Sequence, residues 1–386
     1  MKPGALSLAR SPRLPGLDLI RAVAIIWVMV YHAMNFGLIP DPDHWYVSFG
    51  WIGVDLFFGL SGFLIAGQLL KPWSLGLKPD YKKFFQRRLL RTLPAYVVII
   101  AVYFLLPAFR ERPRIQPFWQ FATFTENLFF DVSPRSFSHV WSLCVEEQFY
   151  VVFPILAALL AWRPNPRRVA LAFVAVVVGG MLIRGGLWLV KVGSSPFANM
   201  DGVNGQAYMD FIYYPTWSRL DGLLAGVLAA TIKVFRPAAW GRIVSRPNLI
   251  LCLGLIGLSF SMVLFGSQVT TFVPAVFGYP LLASSIAAIV IAGSECRGII
   301  GSRSIPGARI LATGAYSLYL TQKLAYHVVD AGYIPGLGNE GWMRFFVAIG
   351  VALFMGALLH GLIERPFLRL RDRWDGPSRS PIATAG

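Results

Sequence analysis

Residues 17–36 read LDLIRAVAIIWVMVYHAMNF. A run of this length matches the ~20 predominantly apolar residues that cross a hydrocarbon core as a helix. No small-residue cleavage site follows it, so the segment is expected to stay in the protein rather than leave as a signal peptide. Arg21 and His32 stand eleven positions apart, close to three helical turns, and share one face about 16 Å apart along the axis. Asp18 lies one turn before Arg21 and can pair with it. Ionisable groups are costly in a bilayer, so an Asp, Arg and His stripe along an otherwise apolar helix marks a functional face.

The rest of the chain extends this reading. Of 386 residues, 56% are hydrophobic and only 14% charged, and mean hydropathy is +0.58. A soluble domain carries roughly a quarter charged residues, so a chain this poor in charge cannot cover a globular surface. Apolar runs predict about ten spans, near 17–36, 50–70, 93–109, 143–162, 168–190, 214–232, 248–266, 272–293, 309–329 and 342–363. The fold class is therefore an all-α polytopic membrane helix bundle, spanning 1–373, with 374–386 read as a disordered tail. Cys144, Cys252 and Cys296 are scattered, match no metal spacing and suggest no disulfide framework.

The net charge of +16 is a matter of topology. With the N-terminus inside, Lys and Arg collect on alternate loops: Lys2 to Arg13, Lys71 to Arg91, Arg163 to Arg168, Lys233 to Arg246, Arg297 to Arg309 and Arg365 to Arg379. The opposite loops hold only Arg110, Arg112, Arg114, Arg135 and Lys191. This is the positive-inside pattern, and it puts both termini in the cytoplasm. Because the basic residues fall in separate short loops, nucleic-acid binding is excluded. The long outside loop carries Phe118, Trp119, Phe121, Phe124, Phe129 and Phe130, a density that suggests a segment lying in the interface.

Polar residues in the other spans add to the stripe on the first. Asp55 in GWIGVDLFFGLSGFLI and Glu146 and Glu147 in HVWSLCVEEQFYVVFP enter their spans from outside. So do Arg219 and Asp221 in WSRLDGLLAG, while Lys323 and His327 approach the outer surface in YSLYLTQKLAYH. Ser142 is one turn before Glu146, and Ser61 and Gly62 permit close helix approach. His32 reaches the same level, so these groups are expected to converge at one depth around a polar cavity opening outward. On the cytoplasmic side, KPDYKKFFQRRLLRTLP places Arg88 and Arg91 on one helix face. Paired guanidinium groups suit phosphate, and no Gly-rich phosphate loop is present.

These segments, in this order, resemble the membrane acyltransferases called acyltransferase 3. The resemblance rests on Arg21 with ten residues before His32, GVDLFFGLSGFLI, FFQRRLLRTLP, WSLCVEEQFY, SRLDGLLAG, ATGAYSLYL and LIERPFLRL, and covers nearly the whole chain. It implies an O-acyltransferase of the bacterial inner membrane, multi-pass. The donor would be cytoplasmic acyl-CoA, most often acetyl-CoA, used as a co-substrate without a metal. The acceptor would be a hydroxyl of a carbohydrate or glycolipid, such as polysaccharide or lipopolysaccharide, at the outer side. By resemblance, His32 is the catalytic histidine, Arg21 lies beside the donor path, Arg88 and Arg91 form the basic motif, and Glu146 is the glutamate of the WSLxVE segment.

The combined scheme has acyl-CoA held by Arg21, Arg88 and Arg91, and His32 accepting the proton of the attacking hydroxyl. Glu146 orients the imidazole or holds the acceptor, and Asp55, Ser142, Arg219 and Asp221 form the acceptor pocket. An acyl-histidine intermediate is the alternative chemistry. Relatives often carry His after YSLYLT, where this chain has Gln322 and Lys323. No fused hydrolase-like domain is expected, so a second transfer step would need another protein. The rival class is a secondary transporter of a small polar or anionic solute, since intramembrane charges and Gly- or Pro-broken spans also suit one.

Overall fold

The computed structural model describes residues 14–42, 44–129, 135–162, 165–193, 203–266, 270–334, 337 and 341–374. Among them the regular structure is entirely helical. The long runs are α1 (Pro15–Asn35), α2 (Ile52–Ser74), α3 (Tyr81–Leu105), α4 (Ser138–Trp162), α5 (Pro166–Val192), α6 (Asp221–Phe235), α7 (Pro247–Gly266), α8 (Pro274–Gly293), α9 (Ala308–Asp330) and α10 (Trp342–Trp374). Eight are long and apolar enough to cross a membrane, or nine if α6 and the helix Pro237–Ile243, bent 117° from it, count as one span. The tenth is α9, 23 residues long. Its Arg309, Gln322, Lys323 and His327 dilute its apolarity, which it tolerates because α1 and α10 pack along it.

Local signals set the helix starts. Pro15 and Pro166 occupy the first turns of α1 and α5, where a missing N–H costs nothing. The Asp80 carboxylate caps α3 by accepting from the Lys83 N–H at 2.9 Å, and Asn165 caps α5 through the Arg167 N–H at 2.8 Å. Pro237, two residues past the end of α6, cannot continue that helix and starts the sharply bent next one.

The closest packing is between α2 and α6, and glycine makes it possible. A Cβ on Gly62 would collide with the backbone of Leu223, and one on Gly226 with the backbone of Gly59. Bare glycine backbones let the two helices meet without side chains between them, the main source of helix association in lipid. Around this seam α1 and α8 complete the centre, while α5, α7 and α10 turn Leu182, Val263 and Phe354 outward. An apolar outer surface is what a lipid solvent requires.

The segment between α3 and α4 divides its aromatic residues between the bundle and the surface. Phe121 and Phe137 are fully buried, whereas Phe118, Trp119 and Phe129 are exposed. The segment is thus anchored to the bundle by one part of its aromatic set and presents the other part outward. The Tyr96 hydroxyl of α3 donates to the Phe121 carbonyl at 3.0 Å, and the Gln148 amide of α4 donates to that of Phe124 at 2.6 Å. Phe130 and the tail 375–386 lie outside the described residues.

Candidate functional site

The end of the bundle where α1 finishes is taken here as the upper end. A cavity of about 80 Å³ lies there, lined by His32 and Tyr31 of α1, Ser138, His139 and Trp141 of α4, Tyr213 and Tyr214 before α6, and Tyr319 and Lys323 of α9. The His32 and His139 rings face each other edge to face, 5.9 Å between centroids. Among the described residues, His32 Nδ1 and both ring nitrogens of His139 have no hydrogen-bond partner. The Lys323 ammonium donates to the Ser138 hydroxyl at 2.9 Å, and Gln322 and Lys323 are the groups that act most directly on the His32 ring. The Tyr319 hydroxyl donates to the His139 carbonyl and shares a second bond with the Ser142 hydroxyl, both 2.7 Å.

The four residues expected to form the acceptor pocket do not line this cavity; they stand behind its wall. Arg219 Nη2 donates to both Asp55 oxygens at 2.9 Å, and its guanidinium sits over Tyr213, Tyr279 and Trp141 at 4.5, 4.3 and 5.3 Å. Asp221 pairs instead with Arg184 of α5, which donates to its two oxygens at 2.7 and 3.2 Å. Each carboxylate has taken a cation, as buried charges must. The Asp55–Arg219 pair braces Trp141 and Tyr213, which do face the cavity. Ser142 is turned to Tyr319.

Glu146 stands apart from the cavity. Its carboxylate accepts from the Ser61 hydroxyl and the Tyr150 hydroxyl, both at 2.8 Å, one turn of α4 below Ser142, and no described contact joins it to His32. It belongs to a lower polar layer with the basic motif. Arg88 lies over the Tyr150 ring at 5.4 Å and donates to Gln68 at 3.1 Å. Arg21 is 3.8 Å from Asp18, and Arg91, Glu146 and Tyr150 share its electrostatic surroundings. So the polar groups form two layers rather than one, with about 16 Å between Arg21 and His32 along α1.

The basic run of α3 is split between two faces. Arg88 turns inward, whereas Lys82, Lys83, Gln86 and Arg87 join Arg371 and Trp374 of α10 around a surface groove of about 600 Å³. The YSLYL segment ties three helices together. Tyr316 donates to the Thr92 carbonyl of α3 at 2.9 Å, Ser317 to the buried Glu364 of α10 at 2.7 Å, and Tyr319 to α4 as above.

Sequence reasoning missed His139, Arg184, Tyr150 and Glu364. An arginine inside the apolar run of α5 was a readable signal for Arg184. His139 stood at the edge of an apolar run, where nothing in the sequence says whether it faces water or the bundle.

A family model described as an acyltransferase domain matches residues 14–361. The O-acetyltransferase OatA of Staphylococcus aureus is 29% identical over 376 residues, which cover 92% of this chain and 57% of that protein. The peptidoglycan O-acetyltransferase OatA of Listeria monocytogenes is 30% identical over 239 residues, covering 57% of this chain and 34% of that one. The chain thus spans little more than half the length of the staphylococcal relative. No solved structure matches.

Proposed function

The chain belongs to the acyltransferase domain family that matches it over residues 14–361, and from that membership we propose that it is a membrane O-acyltransferase. The acyl group, acetyl in the first instance, comes from acyl-CoA at the lower end. The acceptor is a hydroxyl of a carbohydrate or glycolipid at the upper end. The activity named for the Listeria relative makes peptidoglycan the first acceptor to try, with lipopolysaccharide and other envelope glycans after it. The positive-inside pattern supports placing the lower end and both termini in the cytoplasm of a bacterium, with the chain in its inner membrane.

The observation that carries this reading is the pair of stacked polar layers. Arg21, Arg88 and Arg91 gather in the lower one, where guanidinium groups suit the phosphates of a coenzyme A nucleotide. His32 stands about 16 Å higher on the same helix face as Arg21, which suits a long, thin donor with its anionic head below and its thioester above. Glu146, Ser61 and Tyr150, hydrogen-bonded in one group, share the lower layer with these arginines, and Ser142 and Tyr319 stand one turn of α4 higher. Glu146 serves the donor path in this reading, and transfer occurs at His32. Lys323 and Ser138, joined at 2.9 Å, give the cavity a cation beside the position where the thioester carbonyl develops negative charge.

The test is transfer of radiolabelled acetyl from acetyl-CoA to envelope glycans, in membranes holding wild-type protein or His32→Ala at matched expression. Label reaching a glycan with wild type alone is the expected result. Equal labelling in the two would remove His32 from the reaction. No labelling with acetyl-CoA or longer acyl-CoAs would overturn the acyltransferase reading.

A further inference from the structure

The turn that leads into α4 is held in an uncommon shape. Phe137 has φ 60°, in the left-handed region that a bulky side chain adopts only when its surroundings impose it. Its N–H donates to Glu111 at 2.8 Å, and its fully buried ring stacks on Tyr103 with centroids 4.4 Å apart. The next two residues, Ser138 and His139, are thereby delivered to the cavity wall beside His32.

His139 is 2% exposed, and neither of its ring nitrogens has a hydrogen-bond partner among the described residues. The Tyr319 and Leu320 carbonyls lie beside the ring as its nearest acceptors. In a native protein a buried polar group left unpaired calls for a specific explanation. A bound substrate supplies one. The carbonyls also favour an N–H on their side of the ring, which leaves a lone pair for the opposite nitrogen. Its neighbour His32 has no carboxylate among its described contacts, so the two imidazoles do not form a base with its orienting acid. They are two separate groups facing one small space.

Building on the acyltransferase reading, we propose that the two histidines divide the reaction: His32 carries the acyl group and His139 takes the proton of the acceptor hydroxyl. In the first half, a His32 ring nitrogen attacks the thioester carbonyl carbon. The C–N bond forms, the C–S bond breaks, and the thiolate leaves with the proton from the other His32 nitrogen, giving free coenzyme A and a neutral acyl-imidazole. In the second half, the acceptor oxygen attacks the same carbon. The C–O bond forms, the C–N bond breaks, and the hydroxyl proton goes to His139, from which it returns to His32. One imidazole cannot do both jobs, because acylation draws electron density from its remaining nitrogen and leaves a poor base. A second imidazole within 6 Å removes that conflict.

The purified full chain in lipid nanodiscs, mixed rapidly with acetyl-CoA and no acceptor, tests this through the released thiol. Wild type is expected to release a burst of about one thiol per protein, and His32→Ala none. His139→Phe keeps an aromatic ring against Phe137 and Tyr319. It is expected to retain the burst while discharge to the glycan that accepted label in membranes falls by ~10²–10⁴-fold, the usual worth of a general base. His139→Gln is the second variant should the first unfold on melting. A wild type that transfers acetyl without an acceptor-independent burst overturns the division of labour and leaves the acyltransferase reading standing. So does discharge at the wild-type rate by a folded His139 variant. A wild type that transfers to no acceptor overturns both.

Discussion

Breaking the Asp55–Arg219 pair tests how far buried charge holds the upper cavity together. The two side chains are 7% and 0% exposed, and one guanidinium nitrogen donates to both carboxylate oxygens at 2.9 Å. Removing one member leaves the other as an uncompensated charge in a low-dielectric interior, which costs about 3–5 kcal/mol. Arg219→Met also gives up its place over Tyr213 and Tyr279, and a desolvated cation over an aromatic ring contributes about 2 kcal/mol. It should therefore sit at or above the top of that range, and Asp55→Asn near the bottom. The double variant leaves no stranded charge and should cost about 2–3 kcal/mol less than the two singles added together. Reversible unfolding in mixed micelles, followed by tryptophan fluorescence, gives all three values. Single losses below about 1 kcal/mol, or a double variant additive to within about 0.5 kcal/mol, would refute the reasoning and reduce the pair to a neighbourly contact. Because Tyr213 and Trp141 line the cavity, transfer should fall in both singles even where the protein stays folded.

Gly62→Val should prevent α2 and α6 from closing, since even a Cβ would meet the Leu223 backbone; overpacking of this kind costs typically 1–3 kcal/mol or more, readable as a lowered melting temperature and lost extraction as a monodisperse species. Burial raises the Glu126 carboxyl to about 7, with Arg135 and Lys323 pulling the other way. A folded acid with a raised value holds its proton longer than the unfolded chain, so its contribution to stability is full below about pH 4.3, declines as pH rises toward 7 and is flat above. Melting temperature followed from pH 5 to 8 should fall in wild type and change less in Glu126→Gln. Arg88→Ala or Arg91→Ala should weaken acetyl-CoA binding by about 10–100-fold, the worth of one charge-assisted hydrogen bond. Titration calorimetry checks this, and unchanged affinity would move the donor's phosphates to the groove lined by Lys82, Lys83, Arg87 and Arg371.

Part of this protein was fixed before any contact formed. Hydropathy alone made it a helical membrane bundle, because a bilayer core admits no backbone that cannot satisfy its own hydrogen bonds. The spacing of Arg21 and His32 put them on one face at known separation, because helix geometry is local. The arginine pair of α3 was equally legible. Other features lay beyond the sequence because they depend on which helix meets which. Asp221 found Arg184 and not its near neighbour Arg219, since a buried charge pairs with whatever opposite charge tertiary packing brings within reach. Glu146 went to Ser61 and Tyr150 rather than to His32, because it sits one turn of α4 below Ser142, at the level of the basic motif. His139 is the clearest case: at the edge of an apolar run, its sequence position does not say which way it faces. Only the left-handed turn at Phe137, imposed by the Tyr103 stack and the Glu111 hydrogen bond from distant parts of the chain, carries it inside to face His32.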